Sequence, residues 1–177
     1  MEDIDLVLAQ LKILQRDLQA EKLQRHNRRV SLGDLLTDRA QNAREYGFGE
    51  GTTCYDHVLI LGDVKVGRDV WIGPGVILDG SGGLEIGDHC AISAGVQIYT
   101  HHTIRKSVQL GGAKNEVRPT KIGIGVYIGP NSVIQMGVTI GDKAVIGAMS
   151  FVNRDIGAGR KAWGCPARET GFSDDYD

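Results

Sequence analysis

Hydrophobic positions change period once along the chain. Between residues 3 and 29, Ile4, Val7, Leu11, Leu14 and Leu18 recur at steps of three and four, Leu8 widens the stripe, and no Gly or Pro interrupts it. This spacing predicts an amphipathic α-helix. The stripe fades after Leu23 into Arg25, His26, Arg28 and Arg29, cations that suit the partial negative charge of a helix C-terminus. The basic run reads as a solvated helix end, with contact to an acidic ligand as the alternative. The seam is shorter than three heptads, so packing on its own domain or on a neighbouring subunit is expected rather than a free coiled coil. Ser31 followed by Asp34 resembles a capping box and predicts a second helix over 32–46, ending before Gly47 and Gly49.

Beyond a polar, Gly-rich hinge at 47–53 a six-residue period takes over. Ile60, Val66, Ile72 and Leu78 form one series, Ile86, Ile92 and Ile98 a second, and Ile122, Ile128, Ile134, Ile140, Ile146 and Val152 a third. Seven of these aliphatic residues precede Gly, and four places further on most units carry a small or β-branched residue such as Val70, Val76, Cys90, Val96, Val126 or Ala144. Two inward positions per six residues make a short flat strand, and Gly beside the aliphatic residue is expected to serve the tight corner. Three strands close a triangular coil, and coils stack at the roughly 4.8 Å of strand pairing. The thirteen units predict a little over four coils, on the order of 20 Å of prism. Such a prism buries little alone, so side-to-side association is expected.

Two breaks interrupt the period. Leu78 to Ile86 is two residues too long, with Gly80, Ser81, Gly82 and Gly83 supplying the slack of a small bulge. Ile98 to Ile122 keeps the six-residue phase, but 101–121 shows no consistent repeat and reads as an extruded loop, the kind of segment that carries function on a rigid scaffold. The predicted organisation is a helical segment over 1–46, a repeat domain over 47–170 with the loop at 101–121, and a tail at 171–177.

Composition narrows the function classes. Gly makes up 25 of 177 residues and aromatics only 6%, so the interior must be built from small and aliphatic side chains. A net charge of −2 gives no basic field for a phosphate backbone, so nucleic acid is not the expected partner. No run approaches the roughly 18 apolar residues of a membrane span. Cys54, Cys90 and Cys165 are odd in number and lack metal-ligand spacing, and the N-terminus has no apolar signal core, so a reducing cytoplasm is the expected compartment.

The segments FGEGT (48–52), WIGP (71–74), LDGSGGLEIGD (78–88), ISAGVQIYTH (92–101), YIGPNSVI (127–134), VTIGDKAVIGAMSFVNRDI (138–156) and WGCPAR (163–168) resemble the hexapeptide-repeat acyltransferases, in particular sugar and polysaccharide O-acetyltransferases similar to galactoside and maltose acetyltransferases. The resemblance implies an all-β left-handed parallel β-helix with an N-terminal α-helical segment, a homotrimer, and acetyl-CoA as donor. In that family a His sits where the loop leaves the prism, the place of His101 and His102 here. A His suits proton removal from a hydroxyl. His101 falls at the outward corner and is favoured as base, with His102 as the alternative or as an acceptor-binding or base-orienting neighbour. Asp79 and Glu85 border the Gly bulge, where they would face an acceptor, and Cys90 occupies an inward slot. Carried over residue by residue, the resemblance assigns coenzyme A to Pro130, Ala148, Asn153, Arg154 and Arg168. Asn153-Arg154 stands where the family often has Thr-Lys, and no metal is expected. Three readings stay open: O-acetylation of a sugar or polysaccharide intermediate, N-acetylation of an amino sugar, and a noncatalytic hexapeptide scaffold.

Overall fold

The computed structural model describes residues 2–176; Met1 of the helical segment and Asp177 of the tail lie outside them. Helix α1 (Glu2–His26) follows the predicted stripe, but in a single chain only its last turns dock. Ile4, Leu6, Val7 and Leu11 are exposed, whereas Leu18, Lys22 and Leu23 are half-buried. Gln19 ties that end down, its amide donating to the Arg28 carbonyl (2.9 Å) and its carbonyl accepting from Val30 N (3.2 Å).

The expected helix over 32–46 is two helices, α2 (Leu32–Leu36) and α3 (Arg39–Glu45). Ser31 caps the first as predicted. Asp38 then takes the N–H groups of Ala40 and Gln41 (2.9 and 3.1 Å) and starts a new helix, because its short carboxylate competes for the backbone donors that a continuous helix would use.

The rest is a three-sided left-handed parallel β-helix. Its first face stacks β1 (Thr53–Cys54), β3 (Trp71–Ile72), β5 (Ala91–Ile92), β10 (Tyr127–Ile128), β13 (Val145–Ile146) and β15 (Arg160–Gly164), all parallel. The second carries the start of β2 (Leu59–Val66) and of β4 (Ile77–Ile86), then β6 (Gln97–Ile98), β11 (Val133–Ile134) and β14 (Phe151–Val152). The third holds the far ends of β2 and β4, β9 (Thr120–Ile122) and β12 (Thr139–Ile140). The stack ends with β16 (Ala167–Phe172), antiparallel to β15, and a 3₁₀ turn over Ser173–Tyr176.

Inward side chains form the expected ladders. Cys54, Ile72, Ile92, Ile128, Ile146 and Ala162 line the first face and are fully buried; Leu78, Ile98, Ile134 and Val152 do the same on the second. The first ladder has six rungs, so the prism is about six coils high rather than four. The sequence count fell short because the end rungs Cys54 and Ala162 lack the aliphatic-Gly signature, and because Ile156, which stacks on Ile140, follows Val152 by four residues and is out of the six-residue phase. The outer surfaces differ. The first two faces show Trp71, Tyr127 and Val145, and Leu59, Ile77, Val133 and Phe151, whereas the third shows Lys65, Glu85, Lys121 and Thr139, with Lys121 paired to Glu85 at 3.2 Å.

Glycine beside the inward aliphatic residue has a different role from the expected one. The left-handed residue of each corner comes two places later, as at Gly75 (φ +67°) or Asn131 (φ +58°). The glycine itself marks the closest approach of successive coils: a Cβ on Gly73 would lie 2.8 Å from Ala94 N. Gly73→Ala should therefore cost about 1–3 kcal/mol through overpacking, and Ile128→Ala about 2–5 kcal/mol through the cavity left between Ile92 and Ile146. Urea unfolding with unchanged m-value would measure both.

Candidate active site

The chain leaves the prism at the edge between the second and third faces. There β7 (His101–His102) pairs antiparallel with β8 (Glu116–Val117), His101 opposite Val117 and His102 opposite Glu116, and α4 (Ile104–Val108) lies in the loop between them. Thr120 is already back in the stack, buried and paired with Leu84. The expected extruded segment is thus a short hairpin, and its antiparallel root holds both histidines half-buried.

Asp79 lies beneath this root. Leu78 stacks in register with Ile98, which puts Asp79 one coil below Tyr99 and within reach of the two residues after it. The side chain is fully buried and both of its oxygens accept hydrogen bonds, including a longer one of 3.2 Å from the Thr100 hydroxyl to Oδ2. Oδ1 takes the Ser81 N–H (3.1 Å) and hydroxyl (2.6 Å). Oδ2 takes Thr100 N (2.7 Å), His101 N (3.0 Å) and His101 Nδ1 (2.6 Å). The Thr100 hydroxyl donates to the Asp79 carbonyl (2.7 Å) and accepts from Gly82 N (2.8 Å). The bulge makes this possible: Gly82 passes so close to Thr100 that a Cβ there would lie 2.7 Å from its carbonyl oxygen. Asp79 therefore faces the histidine from inside the prism, not an acceptor from outside as its position beside the bulge suggested.

Burial alone would raise the Asp79 pKa, but the donors from Ser81, Thr100 and His101 outweigh it and hold the carboxyl well below the usual carboxylate range. An ionised carboxylate only accepts, so the proton between it and His101 belongs to Nδ1. In the neutral ring that tautomer leaves the lone pair on Nε2. The pair is an oriented acid–base couple able to take a proton at Nε2 while the carboxylate faces the charge that the ring acquires.

His102 is built differently. Its Nε2 is 3.7 Å from Glu116 Oε2, and its Nδ1 is buried without a hydrogen-bond partner. The remaining histidines stand apart. His57 meets the buried Asp34 at 3.4 Å, and His89 is an exposed corner residue with φ +58°. Cys90 is a core residue, its thiol donating to the Gly123 carbonyl at 3.0 Å, and burial raises its pKa.

The residues assigned to coenzyme A do not converge in one chain. Asn153 and Arg154 share the edge of His101, two coils further along the stack, on the order of 10 Å by strand spacing. Pro130 and Ala148 stand one above the other on the edge between the first and second faces, where a Cβ on Gly129 would lie 2.5 Å from Ala148 N. Arg168 lies on β16 opposite Trp163. Asn153, Arg154, Ala148 and Arg168 are exposed and Pro130 half-exposed. A groove of about 830 Å³ on the first face, lined by Tyr127, Lys143, Val145 and Ser173, includes none of them.

Two hexapeptide families match this scaffold: the bacterial transferase hexapeptide (six repeats) over residues 119–154 and the hexapeptide repeat of succinyl-transferase over 63–100. The carnitine operon protein CaiE of Proteus sp. is 32% identical over 133 residues, covering 71% of this chain and 68% of that protein. The chain belongs to the hexapeptide-repeat acyltransferases. Another relative in this family, galactoside O-acetyltransferase of Escherichia coli, is 33% identical over 111 residues, 60% of this chain and 52% of its own length; the chain thus matches about half of that enzyme. AntD of Bacillus cereus, an N-acyltransferase solved as a mutant with dTDP and coenzyme A, superposes with a TM-score of 0.65 at 22% identity, over 71% of this chain and 72% of that one. It shares the fold of this hexapeptide-repeat acyltransferase.

The Asp79 network carries its own pH signature. Because the folded-state pKa is depressed, the stability gained from the ionised carboxyl is complete above its unfolded value of about 3.9 and is lost as the pH falls below it. Asp79→Asn should be less stable at pH 7 by about 2 kcal/mol and lose less stability on acidification than the parent. Chemical unfolding at a series of pH values reads both; parallel pH profiles would contradict the ionised, donor-saturated carboxylate.

Proposed function

We propose that the protein is an acetyl-CoA-dependent O-acetyltransferase acting on a hydroxyl of a sugar or polysaccharide intermediate, with His101 as general base. The observation that carries this reading is the 2.6 Å contact between Asp79 Oδ2 and His101 Nδ1, on a carboxylate already saturated by backbone and hydroxyl donors. His101 Nε2 removes the acceptor hydroxyl proton as the oxygen attacks the thioester carbonyl. The tetrahedral intermediate collapses by breaking the carbon–sulfur bond, and the proton passes from the imidazolium to the departing thiolate, so the ring ends as it began. Asp79 keeps the ring in one tautomer and one orientation throughout. His102 stands beside it as an acceptor-binding residue.

The donor is assigned to Pro130, Ala148, Asn153, Arg154 and Arg168. These occupy different edges of one prism, which fits a homotrimer in which adjacent chains complete each donor groove. The apolar outer surfaces of the first two faces support that association. The exposed guanidinium groups of Arg154 and Arg168 suit phosphates. A cytoplasmic setting agrees with the donor and with the three free thiols, and no described helix is long and apolar enough to cross a membrane. Galactoside O-acetyltransferase among the relatives favours a hydroxyl acceptor. The likeness to an N-acyltransferase keeps an amino sugar as the second reading.

Thiol release from acetyl-CoA across paired hydroxyl- and amino-sugar acceptors separates the two. His101→Ala should reduce turnover by roughly 10²–10⁴-fold with the oligomer intact, and His102→Ala should act mainly on acceptor KM. Undiminished turnover in the His101 variant would remove the base assignment, and absence of coenzyme A binding would favour a scaffold.

A further inference from the structure

The seam between α1, the α2–α3 turn and the first coil encloses a cleft of about 110 Å³. Lys22 and His26 reach it from the last turns of α1, Arg28 from the segment that follows, and Arg39 from the start of α3. Arg39 is held in place, its guanidinium carbon 4.9 Å from the centre of the Tyr55 ring, which itself meets Trp71 edge-on. Two carboxylates border the cleft, but both are committed elsewhere. Asp34 accepts from Ser31 Oγ and Asp56 N and faces His57; Asp38 caps α3 through Ala40 N and Gln41 N.

The side chains of Lys22, His26 and Arg28 have no hydrogen bond, ion pair or ring contact among the described residues. Arg16 and Arg25 on the same helix do pair, with Asp17 and Glu21. The cations Lys22, Arg28 and Arg39 outnumber the carboxylates Asp34 and Asp38 around this concave site, and a cleft with such an excess concentrates counter-charge. The volume lies below the roughly 300 Å³ at which pockets for drug-sized ligands begin, so it suits one compact polyatomic group. A phosphate, with about −1.5 to −2 charges and several acceptor oxygens, meets donors arriving from three elements at once. A carboxylate, with two oxygens on one side, does not. The guanidinium fork of Arg28 matches a phosphate in geometry as well as in charge.

We propose that this cleft is a phosphate-binding site, taking free orthophosphate or the phosphoryl end of a larger ligand. It shares no lining residue with the surroundings of His101 and stands independently of the acetyl-transfer reading.

Calorimetric titration of the full chain tests it, with orthophosphate, glucose 1-phosphate and acetate as separate arms at matched ionic strength. Saturable orthophosphate binding is expected, with a rise in melting temperature. A Lys22→Gln, Arg28→Gln double variant should bind about tenfold or more weakly while keeping its ligand-free melting temperature. Arg28→Lys, which keeps the charge and loses the fork, should fall between. Tighter binding of the sugar phosphate would identify a pendant phosphoryl group as the ligand, and tighter binding of orthophosphate the free ion. Absence of saturable phosphate binding, equal binding by the double variant, or acetate binding as tightly as phosphate would overturn the proposal.

Discussion

The closeness of one coil's backbone to the next governs this molecule. Parallel pairing holds successive turns at strand spacing, with Trp71 N donating to the Cys90 carbonyl, Ala91 N to Val126 and Tyr127 N to Ala144 at 2.9–3.0 Å. At that separation inward side chains must stand directly on one another, so each rung has room for an aliphatic residue and nothing larger. The same separation removes the side chain wherever two corners touch, which is why glycine recurs beside the rungs. Composition, period and core are three expressions of one distance.

The reactive centre inherits its precision from that stacking. Asp79 is not brought to His101 by a flexible loop; it belongs to the coil below, and its position follows from the register of Leu78 against Ile98. Two extra residues in its coil give Ser81 and Gly82 the freedom to wrap the carboxylate and the Thr100 hydroxyl. A buried charge is tolerated when every lone pair is answered, and here backbone amides and side chains of Ser81, Thr100 and His101 share that role. The cost of repositioning them keeps the imidazole aimed, which is the form of preorganisation that proton transfer needs.

Most of the fold was legible because period-six aliphatic spacing has one economical packing solution. The ends were not: Cys54 and Ala162 serve as rungs without looking like them, since a terminal coil has a neighbour on one side only. The break at Asp38 was hidden because helical periodicity continues across it while a single carboxylate reassigns the backbone donors. At the site, His101 stood out as the first residue of the irregular segment. The role of Asp79 did not, because it depends on counting residues around a coil that contains a bulge. Only the register of Leu78 against Ile98 across that bulge brings the pair together. The cleft beside Tyr55 could not be read at all, as Lys22, Arg28 and Arg39 meet only through the docking of separate helices.

The final strand reverses the chain. Parallel turns could in principle continue indefinitely, each offering its open amides and carbonyls to the next, including a turn supplied by another molecule. By folding back antiparallel against β15, β16 occupies the rim of the first face with the protein's own backbone. On that face a turn from another molecule finds the parallel register already replaced by an antiparallel one.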